Sequence, residues 1–213
     1  MEWYKFRSTE YDIKVVVLVM LVYIFGVLFG EYTNIDTSDN LGVANASIIN
    51  KVDEVYDTAI KEIEDDILEK DIIVSFIMDK RDECPKEIAE VIANEIVDNS
   101  AIHYLPIGLY LGIGWVESRY DTMAVSNKRA RGIYQIMDKS CGEMEIDHSR
   151  IHDIKYNTEI CSCIFNSKLD IANGDLLKAL YWYVGKKDSY ANDVLKVMGE
   201  YILYKRGYNV NKT

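Results

Sequence analysis

The stretch LYLGIGWVESRYDTMAVSNKRARGIYQIM, residues 109–137, decides the fold. Residues 109–116 are almost entirely apolar and lead directly into Glu117. Such a run is typical of a helix buried in a core, so we expect the Glu117 carboxyl to be partly desolvated, which favours its protonated form. A general acid needs a protonated carboxyl. A glutamate at a helix end is nevertheless more often a surface charge, so this position alone does not identify a site.

The composition predicts an all-α protein. About half of the 213 residues are apolar, which is enough for a sizeable core. The chain has only two prolines, Pro85 and Pro106, and its glycines are thinly spread. Because strand-like alternation is hard to find, long helices are favoured over a turn-rich β architecture.

The charge balance excludes one class of partner. The formal net charge is −11, and binding to the nucleic-acid backbone needs clustered Lys and Arg. We therefore predict no nucleic-acid partner. The acidity otherwise indicates only a solvated surface.

The cysteines and histidines do not predict a metal site or a cofactor. They lack the paired spacing of a zinc site. The cysteines are either small buried residues or, if the domain lies outside the cytoplasm, include a disulfide from Cys141 to Cys161 or Cys163. The residues concerned are Cys84, Cys141, Cys161, Cys163, His103, His148 and His152.

An apolar segment near the N-terminus predicts a membrane anchor. Residues 13–30 form an apolar run interrupted only by Lys14, at the short end of what a membrane span requires. No small-x-small triplet lies close enough for signal-peptide cleavage, so we expect an uncleaved signal-anchor. Lys5, Arg7 and Lys14 precede the run, which keeps residues 1–12 in the cytoplasm and sends the rest of the chain across the membrane. A buried core helix is the alternative.

The remaining chain divides by its periodicity. Residues 31–50 are polar and mixed, and we interpret them as a linker. Residues 51–83 carry an apolar stripe on an acidic helix and form a predicted helical neck, which packs on the following domain, holds it off the membrane, or binds a partner. Residues 84–205 are the predicted catalytic domain, and residues 206–213 are a tail.

The segment after Glu117 resembles the soluble lytic transglycosylases, whose domain is related in fold to goose-type lysozyme. That family has Glu-Ser, then Ala and Ser positions, then Gly-Ala-x-Gly-Leu-Met-Gln-Ile. Several residue types at fixed spacing form a far more specific signal than one acidic residue. The matching residues, in register without a gap, are Glu117, Ser118, Ala124, Ser126, Ala130, Gly132, Gln135 and Ile136.

The resemblance extends over residues 87–201 with three departures. Asn157 takes the place of an Asn that starts a helix in the family, and residues 177–185 resemble its Ala-Leu-x-x-Tyr-Asn-x-Gly element. Arg129 stands where the family has Gly, and Tyr134 replaces Met. Val184 replaces Asn, with one residue missing before the following glycine.

The resemblance implies a lysozyme-like helical fold and a role for each matched residue. Glu117 is the catalytic acid and then the base, cleaving the MurNAc-β-1,4-GlcNAc bond of peptidoglycan with formation of 1,6-anhydroMurNAc. Tyr183 is expected beside the Glu117 carboxyl, and Ser118 and Gln135 position that carboxyl or bind the glycan. The substrate-binding set is Ser118, Ser126, Tyr134, Gln135, Trp182 and Tyr183.

Two rival functions and the biological setting stay open. Asp121 or Asp138 can instead activate water, which gives a hydrolytic goose-type muramidase. A catalytically inactive, membrane-tethered protein that grips the glycan is the rival from another class. Small anchored domains of this kind resemble the specialised transglycosylases that open the wall for conjugation, secretion or phage entry, with virion or envelope-machine proteins as partners.

Overall fold

The computed structural model describes residues 41–137, 146–185 and 188–212, and these residues form helices. Two isolated antiparallel bridges, Val125 with Arg131 and Arg131 with Ile136, are the only β pairing in these residues. The prediction of an all-α fold is therefore confirmed for this part of the chain. The helices are α1 (Leu41–Lys80), α2 (Lys86–His103), α3 (Ile107–Ser118), α4 (Ile154–Ile171), α5 (Leu176–Tyr183) and α6 (Asp188–Lys212).

The neck differs from its predicted bounds at both ends. Helix α1 begins at Leu41, so residues 41–50 are helical and the predicted linker is wrong there. The chain divides into two compact units, residues 1–59 and residues 60–213.

The end of the neck belongs to the core of the second unit. Ile72, Ile73, Phe76 and Ile77 are at most 3% exposed and join the same buried cluster as residues of the later helices. The buried cluster therefore includes residues on both sides of the predicted domain boundary between residues 83 and 84. Burying four large side chains contributes on the order of 6–12 kcal/mol of transfer free energy, which explains why these turns cannot be separated from the domain.

The ends of the helices follow from local chemistry. Helix α2 ends before Tyr104, whose φ of +55° is left-handed, and Pro106 then starts α3 with its ring-fixed φ of −62°. Asp153 and Asp175 cap α4 and α5 by accepting hydrogen bonds from the backbone N–H groups of Tyr156 and Lys178. These caps fix where α4 and α5 begin.

The predicted anchor, residues 13–30, lies outside the described residues. Within the described ranges, no helix combines the length and the apolar character that crossing a membrane requires.

Candidate active site

Glu117 occupies the last turn of α3, at the end of its apolar run, and it is half-buried. Helix α3 can lie very close to α6 because Gly112 has no side chain. A Cβ at Gly112 would stand 2.8 Å from both Cγ1 and the carbonyl oxygen of Val194. This close approach brings the first turn of α6 against the end of α3.

Tyr190 is the residue of α6 that meets the Glu117 carboxyl. Its hydroxyl donates to Oε1 of Glu117 at 2.7 Å. Burial, and after it the negative charge of Glu117, raises the pKa of Tyr190 far above its ordinary value. The phenol therefore stays protonated and remains a donor at any physiological pH.

Tyr183 lies near Glu117, as expected, and the charge of Glu117 contributes to raising the pKa of Tyr183, after burial and the neighbouring Cys161 and Tyr190. Its ring stacks on Tyr190, with centroids 6.3 Å apart, and its hydroxyl lies 3.4 Å from both the carbonyl oxygen of Tyr134 and the thiol of Cys161. Tyr183 thus packs behind Tyr190, the tyrosine that donates to Glu117 and that the sequence analysis missed. A sequence signal existed: Tyr190, Val194, Val197 and Tyr201 share one face of a helix, and all four are buried.

The chain turns sharply after Glu117. Arg119 and Tyr120 both have left-handed φ, +55° and +61°, and the N–H of Arg119 returns to the carbonyl of Trp115. Ser118 donates its hydroxyl to the carbonyl of Ile133 at 2.8 Å. Residues 119–136, here called the post-helix loop, are thereby fastened directly beside the acid.

Asn157 and Gly132 organise the post-helix loop from the side of α4. Asn157 is 1% exposed; its amide accepts from the N–H of Tyr134 and donates to the carbonyls of Arg131 and Ile151. Gly132 has a φ of +76°, and a Cβ there would stand 2.4 Å from Nδ2 of Asn157. These two positions, both of which match the family pattern, thus contact each other. Position 132 requires glycine because its φ is positive and because a side chain there would clash with Asn157.

Gln135 and Ser126 also act within the post-helix loop. The Gln135 amide nitrogen donates to the carbonyls of Ala124 and Gly132, at 3.1 and 2.9 Å. The Ser126 hydroxyl accepts from the N–H groups of Lys128 and Ala130. Both side chains shape the loop, as Ser118 does, and direct sugar binding by these three residues stays a prediction.

Tyr134 cannot stack on a sugar. Its side chain is 1% exposed and meets the ring of Tyr110 edge-on, with centroids 6.2 Å apart. The structure contradicts the prediction that this side chain binds substrate, because its ring lies within the core. Trp182 on α5 is partly buried against the core, and its stacking on a sugar stays a prediction.

The departures from the family pattern have structural counterparts. Arg129 adopts a φ of +64°, the left-handed conformation that glycine adopts without strain. Val184 follows the last residue of α5 and packs against the core, and Gly185 then turns with a φ of +79°. The side chain of Val184 therefore adds apolar contact where the family has an amide.

A second carboxyl is engaged in local structure. Asp121 accepts a hydrogen bond at 3.0 Å from the N–H of Met123, two residues ahead, which closes a turn. Asp138 lies outside the described residues. Among the described residues, no group of three or more His, Cys, Asp or Glu side chains is arranged to hold a metal ion.

The described cysteines are free thiols. Cys84 and Cys161 are buried and Cys163 is partly exposed, while Cys141 lies outside the described residues. Burial raises the pKa of Cys161 to about 12, so this neighbour of Tyr183 is an unreactive thiol.

A cavity of about 510 Å³ lies away from Glu117, between the neck helix and the far part of α6. Glu69 at its wall accepts a hydrogen bond from Tyr201 and pairs with Lys205. These contacts satisfy the polar groups of that wall, and the cavity does not include the candidate acid.

Comparisons with known proteins identify the middle of the chain. Curated proteins and solved structures gave no match. Residues 98–193 match the family model described as Transglycosylase SLT domain, a range that contains Glu117, the whole post-helix loop, Asn157 and Tyr190. The all-helical fold is consistent with that domain. This part of the chain is therefore similar to the transglycosylase SLT domain.

Proposed function

We propose that this protein is a lytic transglycosylase that cleaves the MurNAc-β-1,4-GlcNAc bond of peptidoglycan and leaves 1,6-anhydroMurNAc ends. The observation that carries the proposal is the half-buried Glu117, held by Tyr190 at 2.7 Å inside the segment that matches the transglycosylase domain. A carboxyl oriented by a buried donor is suited to proton transfer. Glu117 is the catalytic residue, and Tyr190 is a positioning residue.

The first step is protonation of the glycosidic oxygen. Glu117 gives its proton to the oxygen that links MurNAc C1 to GlcNAc. The C1–O bond breaks, its electron pair stays with the GlcNAc oxygen, and positive charge develops on C1 and the ring oxygen of MurNAc. The carboxylate that Glu117 has become lies beside this charge.

The second step closes a ring without water. The C6 hydroxyl of the same MurNAc attacks C1, and its proton passes to the Glu117 carboxylate, which restores the acid. A positioned intramolecular hydroxyl has an effective concentration on the order of 10⁵ M or more, so it can outrun water. One carboxyl therefore serves the whole cycle, whereas most glycosidases use two.

Hydrolysis in the goose-type manner needs a second carboxylate that activates water. Asp121 accepts a hydrogen bond from the N–H of Met123 with Oδ1, and its other oxygen keeps its acceptor capacity. The products therefore distinguish transglycosylation from a muramidase reaction with Asp121 as base.

Product analysis tests this function. The full chain is incubated with purified peptidoglycan, and the released fragments are analysed by mass spectrometry. We expect 1,6-anhydro ends from the wild type and roughly a thousandfold slower release from Glu117→Gln, since Glu117 is both acid and base. Reducing ends would instead identify a muramidase, and binding without release would identify an inactive glycan-binding protein.

Glu95→Gln is the matched control. Glu95 is another half-buried helical glutamate, and burial raises the pKa of its carboxyl. It lies on α2, outside the proposed machinery. We expect the same products and rate as wild type, and an equal loss in both variants would contradict the assignment of Glu117.

The proposed setting is local opening of the cell wall from a membrane anchor. Residues 13–30 would tether the chain, with its N-terminus cytoplasmic and the catalytic domain outside, in a phage entry device or a secretion or conjugation machine. We expect the chain in the membrane fraction, and Leu21→Arg with Ile24→Arg in the soluble fraction, because arginine at the centre of a span costs about 3 kcal/mol. Detection of the chain in purified virions would favour phage entry.

A further inference from the structure

The tip of the post-helix loop is positively charged, although the protein as a whole is acidic. The chain has 35 Asp and Glu against 24 Lys and Arg, yet residues 126–131 contain three cations and no acid. Lys128 and Arg129 stand side by side at the tip, and both are exposed. Their charges therefore face solvent, where an anionic group can reach them.

The backbone of the tip is held by several hydrogen bonds. The Ser126 hydroxyl accepts from the N–H of Lys128 at 3.2 Å and of Ala130 at 3.0 Å. The N–H of Arg129 donates to the carbonyl of Ser126, and the N–H of Ser126 donates to the carbonyl of Ala130, both at 2.9 Å. The backbone from which the two cationic side chains extend is thus held in one conformation, which lowers the backbone entropy lost when they bind.

The conformation of Arg129 is costly. Its φ of +64° is left-handed, and this region costs a non-glycine residue about 1–2 kcal/mol. Strain of this kind is often found at functional sites. The Arg129 side chain is exposed, so its burial does not offset the strain.

The tip is close to the acid along a rigid path. The N–H of Gly132 donates to the carbonyl of Ala124 at 2.9 Å, which closes the base of the turn. The next residue, Ile133, accepts the hydrogen bond from Ser118, the neighbour of Glu117. Three residues lie between Arg129 and Ile133, so the Cα of Arg129 lies within about 14 Å of that anchor point. Groups attached to the sugars at the cleaved bond are therefore within range of long side chains at the tip.

We propose that Lys128 and Arg129 bind the free carboxylates of the peptide stems that MurNAc carries beside the cleaved bond. The inference rests on the proposed function and specifies which part of the substrate is recognised. The sugar rings offer neutral hydroxyls and amides, whereas the stems offer carboxylates, which match the bidentate donor geometry of a guanidinium. The tip thus favours strands whose stems are not trimmed away.

Two substrates that differ only in their stems test the proposal. One is peptidoglycan with intact stems, and the other is the same glycan after an amidase has removed them. We compare wild type, the double variant Lys128→Gln with Arg129→Gln, and a control with two other exposed lysines replaced, Lys61→Gln with Lys86→Gln. In the double variant, the ratio of kcat/KM on stem-bearing to stem-free glycan should fall about fivefold, the effect of two exposed ion pairs. The control should keep the wild-type ratio.

Binding to a Glu117→Gln background gives a second readout that needs no turnover. Stem-bearing fragments should bind more tightly than stem-free fragments at low salt, and the difference should shrink at 0.5 M salt. An unchanged ratio in the double variant, or an equal loss on both substrates, overturns the proposal. An effect that appears only with phosphate-bearing wall polymers present would also overturn it. If the wild type releases no anhydro products, the proposed function is rejected. The difference in affinity between stem-bearing and stem-free fragments still tests the role of the tip.

Discussion

The contact between α3 and α6 and the post-helix loop hold the same residue by different interactions. In the helix contact, Gly112 lies against Val194 with no room for a methyl group, and buried apolar side chains surround the pair. In the loop, polar side chains such as Ser118 and Asn157 bond to backbone groups, and several residues adopt positive φ. The first region sets where the Glu117 carboxyl stands, and the second sets the surface that it faces.

The difference teaches how such a site combines stability with specificity. Any change in side-chain volume destabilises a closely packed apolar contact, so such a contact holds one geometry. A hydrogen-bonded loop with left-handed residues can present charged side chains such as Arg129 while its base stays fixed. Substitutions in each region should therefore have separable effects.

The largest expected effect is at Gly132, where the loop meets α4. Gly132→Ala adds a methyl group 2.4 Å from Nδ2 of Asn157, at a φ of +76°. We expect the free energy of unfolding to fall by about 3 kcal/mol or more, from left-handed strain plus the clash. Chemical denaturation measures this. Gly174 has a φ of +82° with open space around it, so Gly174→Ala should lose only about 1–2 kcal/mol. Equal losses would show that the contact with Asn157 is unimportant.

The next effect is at the helix contact. Gly112→Ala places a methyl group 2.8 Å from the carbonyl oxygen of Val194, and we expect a loss of about 1–3 kcal/mol in unfolding free energy, because α3 and α6 must separate. Gly199 on α6 has open space around it, and Gly199→Ala should stabilise by about 0.5–1 kcal/mol through helix propensity. Activity should fall only in the Gly112 variant, because only that change displaces Tyr190 from Glu117.

Tyr190→Phe removes the hydroxyl that donates a hydrogen bond to the Glu117 carboxyl. We expect about a tenfold lower kcat, since the carboxyl loses the donor that orients it. A carboxylate without its donor is protonated more easily, so the descending limb of the pH–rate profile should move to higher pH. Tyr201→Phe is the control, because Tyr201 on the same helix donates to Glu69, far along the chain from the acid. If Tyr201→Phe shifted the profile equally, Tyr190 would have no specific role.

The smallest effect is at the tip of the loop. Arg129→Gly relieves left-handed strain of about 1–2 kcal/mol, and the added freedom of the unfolded chain offsets part of the gain. We expect a net stabilisation of about 0.5 kcal/mol in thermal unfolding. Lys128 does not have a positive φ, so Lys128→Gly should destabilise. A destabilised Arg129→Gly variant would show that the arginine side chain supports the fold itself.

Much of the site follows from the residues and their spacing. The apolar run before Glu117 predicted a buried helix, and the block through Gln135 predicted the loop that follows it. Asn157 and Gly132 were matched separately, yet their mutual contact could not be predicted, because 24 residues of chain separate them along the sequence. The hydrogen bond from Tyr190 to Glu117 was missed for a similar reason: whether this tyrosine reaches the carboxyl depends on how closely α6 approaches α3.

The sequence by itself determined the helical class, the candidate acid and the resemblance of the loop to the transglycosylase pattern, because local periodicity and fixed spacing can be recognised without knowledge of the packing. Only the tertiary structure decided that residues 72–77 of the neck lie in the domain core, that Tyr134 points inward, and that Tyr190 donates to Glu117. These outcomes depend on contacts between elements distant in the chain. Such contacts depend on the space available to side chains, as at Gly112 and Gly132. They also depend on whether the backbone φ is positive or negative, which no single residue type reveals.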